Sequence, residues 1–414
     1  MKLFLRGFFS YFPYVLFLFS FSFTIQKLHQ FQILNSLDTC FFYFPDSLDY
    51  KNVSLWYMGQ IEGSPYALKI RPFVYPLFLL IFKNNYHLIV WIQAFFISMV
   101  PVLLFLCLKK WTGFLGGLFG VCLLLIHPSF FLLPGYGLTE ALASFLLMLW
   151  VLSRFYIQST FINLFLSSIL TCTKPVFQVL IFWDLIFIFI FRKDIPWKKL
   201  RTYFNLILAL APVLYQLGFM VFHFGIWKLS LISEDTLKYY LYTKYLMLKF
   251  NLEYELARSL IDKFSYIIIP YISSDPLGLL KTYLSNLAYN FDSYSILAMC
   301  PENIKLGFKT QKFNMYFSRF LLYFQVFIII FLLARWKDRK ESLWDILSIF
   351  IPAYFISLTS GLSFWQGDRL VITVYPLWVF IFVFIFSKFM RTIVSPWSVI
   401  KSLFKNHEIT SKSK

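Results

Sequence analysis

Two carboxylates, Asp46 and Asp49, sit just ahead of Tyr50 in the run Pro45-Asp46-Ser47-Leu48-Asp49-Tyr50. A short polar segment later, Arg71 opens the run Arg71-Pro72-Phe73-Val74-Tyr75-Pro76-Leu77. A carboxylate so placed can take a proton from a hydroxyl or ligate a cation. A guanidinium can grip a phosphate through two parallel hydrogen bonds. The plain alternative is an acidic loop beside an arginine that snorkels along apolar surface.

What must position these groups is a membrane. Only 14% of the 414 residues are charged, 59% are hydrophobic, and phenylalanine alone occurs 54 times. A typical soluble domain is about 25% charged. Charge-free runs recur at 8–26, 86–108, 111–139, 155–173, 202–227, 346–367 and 370–387, and a helix needs about 20 apolar residues to cross the hydrocarbon core. The first run follows Lys2 and Arg6 but is long for a signal peptide and lacks a small-residue cleavage site, so it is read as a retained helix. The expected fold class is an all-α polytopic membrane protein forming one transmembrane domain over 1–414. About ten helices are expected, near 8–26, 87–108, 114–133, 138–153, 158–174, 176–191, 203–225, 317–334, 344–359 and 370–387.

The net charge of +18 follows the same layout. Alternating sides gathers Lys109, Lys110, Arg154, the basic clusters at 192–201 and 335–340 and the basic tail on one face. That asymmetry makes the face, and both termini, cytoplasmic. The charge is therefore a topology signal and implies no nucleic-acid partner. Two long segments then face outward. The first, 27–86, ends in an apolar piece at 73–82, too short to span and suited to an interfacial helix. The second, 228–316, has helical periodicity at 235–250 and 253–264 and an apolar stretch at 276–291. No repeat and no similarity between the halves appears, which counts against an inverted-repeat transporter.

The pattern P-D-S-x-x-Y, a polar segment and R-x-x-x-Y-P-L-F resembles the first outer loop of GT-C glycosyltransferases. These polytopic enzymes are related to protein mannosyltransferases and lipid A aminoarabinose transferases. The resemblance covers the first 190 residues best and beyond them is one of layout; the glycine of the family's R-x-P-G-Y-P is missing here. It implies that the loop 27–86 is catalytic, with Asp46 as the catalytic acidic residue and Asp49 as the alternative or as a ligand for a divalent metal. Tyr50, Arg71 and Tyr75 belong to the same motif and would line the substrate. Gly137-Leu138-Thr139-Glu140 resembles the family's second acidic position, although an acid in a helix's first turn is also favoured by the dipole. Thr171-Cys172-Thr173-Lys174-Pro175 resembles a family turn whose lysine neutralises the carrier phosphate, and Gly367-Asp368-Arg369-Leu370 resembles its late arginine. The resemblance implies an inverting transfer of one sugar from a polyprenyl-phosphate carrier to a glycan, lipid or protein acceptor outside the cytoplasm. Asp46 would act as base, Glu140 as a second catalytic carboxylate, and Arg71, Lys174 and Arg369 would hold the phosphate. The implied location is a bacterial cytoplasmic membrane, with the site facing outward.

Other chemistries lack their residues. No His or Cys pair has zinc spacing, and no nucleotide-binding loop is present. Cys40 and Cys300 fall in outer loops and could pair in an oxidising compartment; Asn52-Val53-Ser54 is one sequon of the kind chance supplies. A polysaccharide polymerase or ligase would carry an arginine-rich outer loop, whereas 228–316 holds only Arg258. A lipid-linked glycan flippase would place more polar residues at mid-membrane depth, where Asp184 is the one charge. Asp184 is expected to pair with a polar neighbour in the bundle or to be protonated.

Overall fold

In hydrocarbon, a backbone must satisfy its own N–H and C=O groups, and a helix does so within one segment. The computed structural model follows that rule: it is all-helical, with no strand among the described residues. It describes residues 2–30, 33–35, 37, 41, 44–191, 199–292, 315–316, 319–320, 323–327, 329–330, 340–364 and 369–411. Cys40, Cys300, Asp368, half of 317–334 and most of the basic segment 192–201 lie outside them.

Helix α1 is Lys2–Gln30. The first loop folds into α2 (Pro45–Tyr57), the single turn α3 (Ala67–Ile70) and α4 (Val74–Ile81). Next come α5 (Tyr86–Leu125), α6 (Glu140–Leu152), α7 (Thr160–Thr173), α8 (Gln178–Ile186) and α9 (Leu200–Phe224). The second loop forms α10 (Ile232–Thr236), α11 (Thr243–Phe250), α12 (Tyr254–Ser273) and α13 (Pro276–Asp292). Helices α14 (Lys340–Leu358) and α15 (Arg369–Ser411) complete the chain. Four segments have the length and hydropathy of membrane spans: Tyr86–Leu125, Glu140–Ile157, Leu200–Phe224 and Arg369–Met390. Shorter apolar helices lie at Thr160–Thr173, Pro175–Phe189 and Leu347–Leu362. These features are consistent with an integral membrane protein.

The forty residues of α5 are two helices folded against each other. Gly113, at φ 80° and ψ −178°, reverses the chain in a backbone region that a side chain would disfavour. Beyond the reversal, Gly117 faces Phe105 so closely that a Cβ there would lie 2.8 Å from the ring, and Gly120 packs on Leu108 and Val383. The segments expected as the spans 87–108 and 114–133 lie in the two arms of this hairpin, and the second arm is followed by a 3-10 helix at Pro128–Gly135.

Position in the bundle explains the two kinds of apolar helix. The Arg369–Met390 part of α15 is almost wholly enclosed, packing on α5, α6 and α14, and carries core residues such as Tyr375, Val379 and Phe384. Helix α9 packs on α7 and exposes Phe204, Ile207, Leu208, Leu214 and Phe222 on its other side. An apolar face of that length needs an apolar solvent. The C-terminal end of α9 closes at Gly225, whose φ of 67° lets Ile226 N–H donate to Met220 O at 3.3 Å.

A leucine at Gly117 is expected to overpack the hairpin and cost about 1–3 kcal/mol. Alanine at Gly218, which is helical with open space around it, is expected to add about 0.5–1 kcal/mol. Thermal unfolding of the purified protein in detergent measures both, and equal shifts for the two variants would contradict the hairpin.

Candidate functional site

Local structure delivers each charged group. Proline at the first position opens α2, and Asp46 lies in its first turn, where a negative charge is favoured. Asp49, one turn on, shares that face. Arg71 stands in extended backbone between α3 and α4, with its N–H donating to Ala67 O at 2.8 Å. The second loop pins this stretch: Leu231 N–H donates to Lys69 O at 2.8 Å and Ser230 Oγ to Ile70 O at 2.7 Å. Gln216 on α9 accepts from Phe73 N–H at 3.2 Å and donates to Leu229 O at 2.9 Å. Glu140 begins α6, Lys174 follows the last residue of α7 and Arg369 begins α15.

These residues meet in one chain of alternating charge. Asp49 accepts from Arg71 Nε and Nη2 at 3.2 and 2.9 Å. Arg71 Nη2 also donates to Asp46 Oδ1 at 2.6 Å, while the other oxygen of Asp46 accepts from Arg369 Nη2 at 3.1 Å. Arg369 Nε donates to Glu140 Oε1 at 2.9 Å, and Lys174 Nζ reaches the same oxygen at 2.8 Å. Asp46 and Arg369 are 323 residues apart in sequence.

Exposure divides the chain into two ends. Asp46 and Asp49 are 28% and 33% exposed; the Glu140 side chain is at 0% and Arg369 at 7%. An arginine in a helix's first turn opposes the macrodipole, so Arg369 depends on its two carboxylates. Glu140 is fully engaged, since Thr139 Oγ1 donates to its second oxygen at 3.3 Å. The buried end is therefore a fixed electrostatic frame, and the open end is where a substrate can reach a carboxylate.

Burial by itself would raise the pKa of Asp46, but Arg71, Arg369 and Lys174 outweigh it and hold the carboxyl well below the usual range. Tyr50 moves the other way. Its burial outweighs the neighbouring Arg71 guanidinium and pushes the phenol up to about 12, so it stays a neutral donor. The Arg71 guanidinium lies 5.2 Å over the Tyr50 ring, and Arg369 lies 5.3 Å over Phe44. Tyr75 is buried edge-on to Tyr50, with its hydroxyl donating to Gln93 Oε1 at 3.1 Å. Gln93 passes the contact on, donating to Pro134 O and Tyr136 O at 3.0 and 3.1 Å.

All of the expected site residues thus lie in or against one cluster, with Tyr75 beneath it. The sequence reading did not find Gln93, Gln216 and Ser230, which tie the cluster to its supports. Gln93 had a usable signal, as an isolated amide inside an apolar run. Among the described residues, no three His, Cys, Asp or Glu side chains gather in a metal-binding group.

Asp184 lies elsewhere. Arg154 Nη1 donates to its Oδ1 at 3.0 Å, Trp150 Nε1 to its Oδ2 at 2.9 Å, and Ser167 Oγ also donates to Oδ2. The expected polar neighbour inside the bundle is therefore an arginine with two further donors.

Replacing Arg369 by Met leaves Glu140 buried with half its compensation, for an expected loss of about 3–5 kcal/mol. Replacing the more exposed Asp49 by Asn is expected to cost no more than about 1 kcal/mol. Denaturant unfolding in detergent distinguishes them, and an Arg369 variant as mild as the Asp49 variant would contradict the frame. No family model, curated protein or solved structure matches this chain.

Proposed function

We propose that the protein is a polytopic glycosyltransferase of GT-C type. It would move one sugar from a polyprenyl-phosphate carrier to an acceptor hydroxyl on the extracytoplasmic side of a membrane crossed by about ten helices, with both termini cytoplasmic. The observation that carries this reading is the partly exposed Asp46 carboxylate held between two arginines. A base and a pair of phosphate-gripping groups then share one mouth.

The chemistry follows from that arrangement. The polyprenyl tail keeps the donor in the bilayer and its phosphodiester at headgroup depth. The phosphate competes with Asp46 for Arg71 and Arg369, and its charge replaces the carboxylate's as their partner. Freed from its cations, Asp46 becomes a stronger base. It takes the proton of the acceptor hydroxyl as that oxygen attacks the anomeric carbon from the face opposite the phosphate. The new C–O bond forms as the sugar–phosphate bond breaks, and the bonding pair leaves on polyprenyl phosphate. Arg71 and Arg369, with Lys174 behind them, stabilise that developing charge. Glu140, buried and saturated, is best suited to orient Arg369 and Lys174. The helices of the second loop, joined to the Arg71 segment through Ser230 and Leu231, are positioned to shape the acceptor side.

Asp46→Asn is expected to reduce transfer by about 10²–10⁴-fold with membrane insertion unchanged. Full activity in that variant, assayed in membranes with a labelled lipid-linked sugar, would exclude Asp46 as the base. The pH profile supplies a second check. In the free enzyme a depressed carboxyl stays ionised, so kcat/KM should hold steady as pH falls toward about 4. In the donor complex Asp46 has lost its cations, so the acid limb of kcat should lie at higher pH. Coincident limbs would contradict displacement of the arginines.

A further inference from the structure

A second polar site lies at the other end of the same helices. Helix α6 runs from Glu140 to Leu152, and α7 runs back from Thr160 to Thr173, beside Lys174. At 1.5 Å per residue each places its far end about 20 Å from the charged cluster. There a cavity of about 190 Å³ is lined by Arg154, Gln158, Ser159, Thr160, Asn163 and Asp184, together with Phe155 and Phe187. Helices α6 and α8 each pass into a π-helical turn, Ser153–Ile157 and Phe187–Phe191, a distortion that widens a helix and recurs at functional sites.

The lining has a definite chemistry. Arg154 brings a guanidinium, and its partner Asp184 is neutralised by Arg154, Trp150 and Ser167. The surplus positive potential comes from the N-terminus of α7, fourteen residues long and capped by Ser159, whose Oγ accepts from Ile162 N–H at 3.4 Å. Asn163 is 4% exposed, and its Oδ1 accepts no hydrogen bond among the described residues. That oxygen calls for a donor such as a hydroxyl. Exposed Tyr156 and Ile157 adjoin the cavity, with Lys110 Nζ 4.8 Å from the Tyr156 ring. An aromatic and a lysine at the end of apolar helices mark headgroup depth.

We infer that this cavity binds the phosphate of an anionic phospholipid whose headgroup carries a hydroxyl. Arg154 and the N-terminus of α7 take the phosphate, and Asn163 Oδ1 accepts from the hydroxyl. The acyl chains lie against the apolar surface beside Ile157. The inference is independent of the transfer reaction.

The test uses the full-length protein in detergent, with thermal unfolding read in the presence of phosphatidylglycerol, phosphatidylcholine, or phosphatidylcholine with inorganic phosphate. A ligand that binds the folded state raises the midpoint. Phosphatidylglycerol should stabilise the wild type and phosphatidylcholine should not. Asp and Asn cap helices as well as Ser does, so Ser159→Asp and Ser159→Asn should keep the lipid-free midpoint. Ser159→Asp, with a carboxylate at the mouth, should lose the phosphatidylglycerol shift, and Ser159→Asn should keep it. Asn163→Leu should also lose it, and supplies the readout if Ser159→Asp does not fold. Equal stabilisation by both lipids, or an undiminished shift in Ser159→Asp or Asn163→Leu, overturns the site. A shift from inorganic phosphate as large as that from phosphatidylglycerol overturns the lipid as its occupant.

Discussion

An arginine withdrawn from water between two carboxylates requires both of them, because a charge stranded in low dielectric costs several kcal/mol. Arg369 is in that position, with Asp46 on one side and Glu140 on the other. To bring the three together, the start of α15, the start of α6 and the first turn of α2 must converge on one point. Lys174 then brings in the end of α7, and Arg71 brings in the turn between α3 and α4. The fold around the cluster is largely what this convergence demands. The N-termini of α2 and α6 offer their carboxylates where the helix dipole helps, while the N-terminus of α15 offers a cation against its dipole.

An alternating chain of three cations and three carboxylates bears on the proposed transfer. Each charge is satisfied without a ligand, so the cluster is stable when empty, but its open end can be exchanged. In the proposed reaction, a phosphate arriving at Arg71 and Arg369 would replace one anion by another and change the local charge only by what it displaces. The buried end, anchored by Glu140, would stay in place during the exchange. Basicity of Asp46 would then rise with donor occupancy, so that a weakly basic resting carboxylate would become a base when there is something to deprotonate.

Much of this was legible in the sequence. Charge-free runs marked the apolar helices because length and hydropathy alone decide whether a segment can rest in hydrocarbon. Asp46, Arg71, Glu140, Lys174 and Arg369 were legible as one surface, since threading the apolar runs alternately across a bilayer puts all five on the same side. Their pairing was not, because pairing depends on the rotation of each helix about its axis. The same ignorance hid Arg154 from Asp184: thirty residues, including the whole of α7, separate them, and only the packed register brings them to 3.0 Å. Gln216 and Ser230 were hidden for another reason. Their hydrogen bonds go to the backbone of the Arg71 segment, and backbone partners leave no trace in side-chain pattern. The hairpin at Gly113 was foreseen as two spans, but its tight closure follows from Gly117 against Phe105, a contact between turns of facing helices.

Cleavage of a sugar–phosphate bond on a lipid carrier, the reaction proposed for the cluster, can be assayed in isolation. Proteoliposomes holding the purified protein, a labelled polyprenyl-phosphate sugar and an acceptor alcohol, without nucleotide sugar, test it most directly. The expected result is that donor is consumed as polyprenyl phosphate and a glycoside of inverted configuration appear in equal amounts. Donor that remains intact, or that crosses the bilayer with its sugar–phosphate bond unbroken, would contradict it.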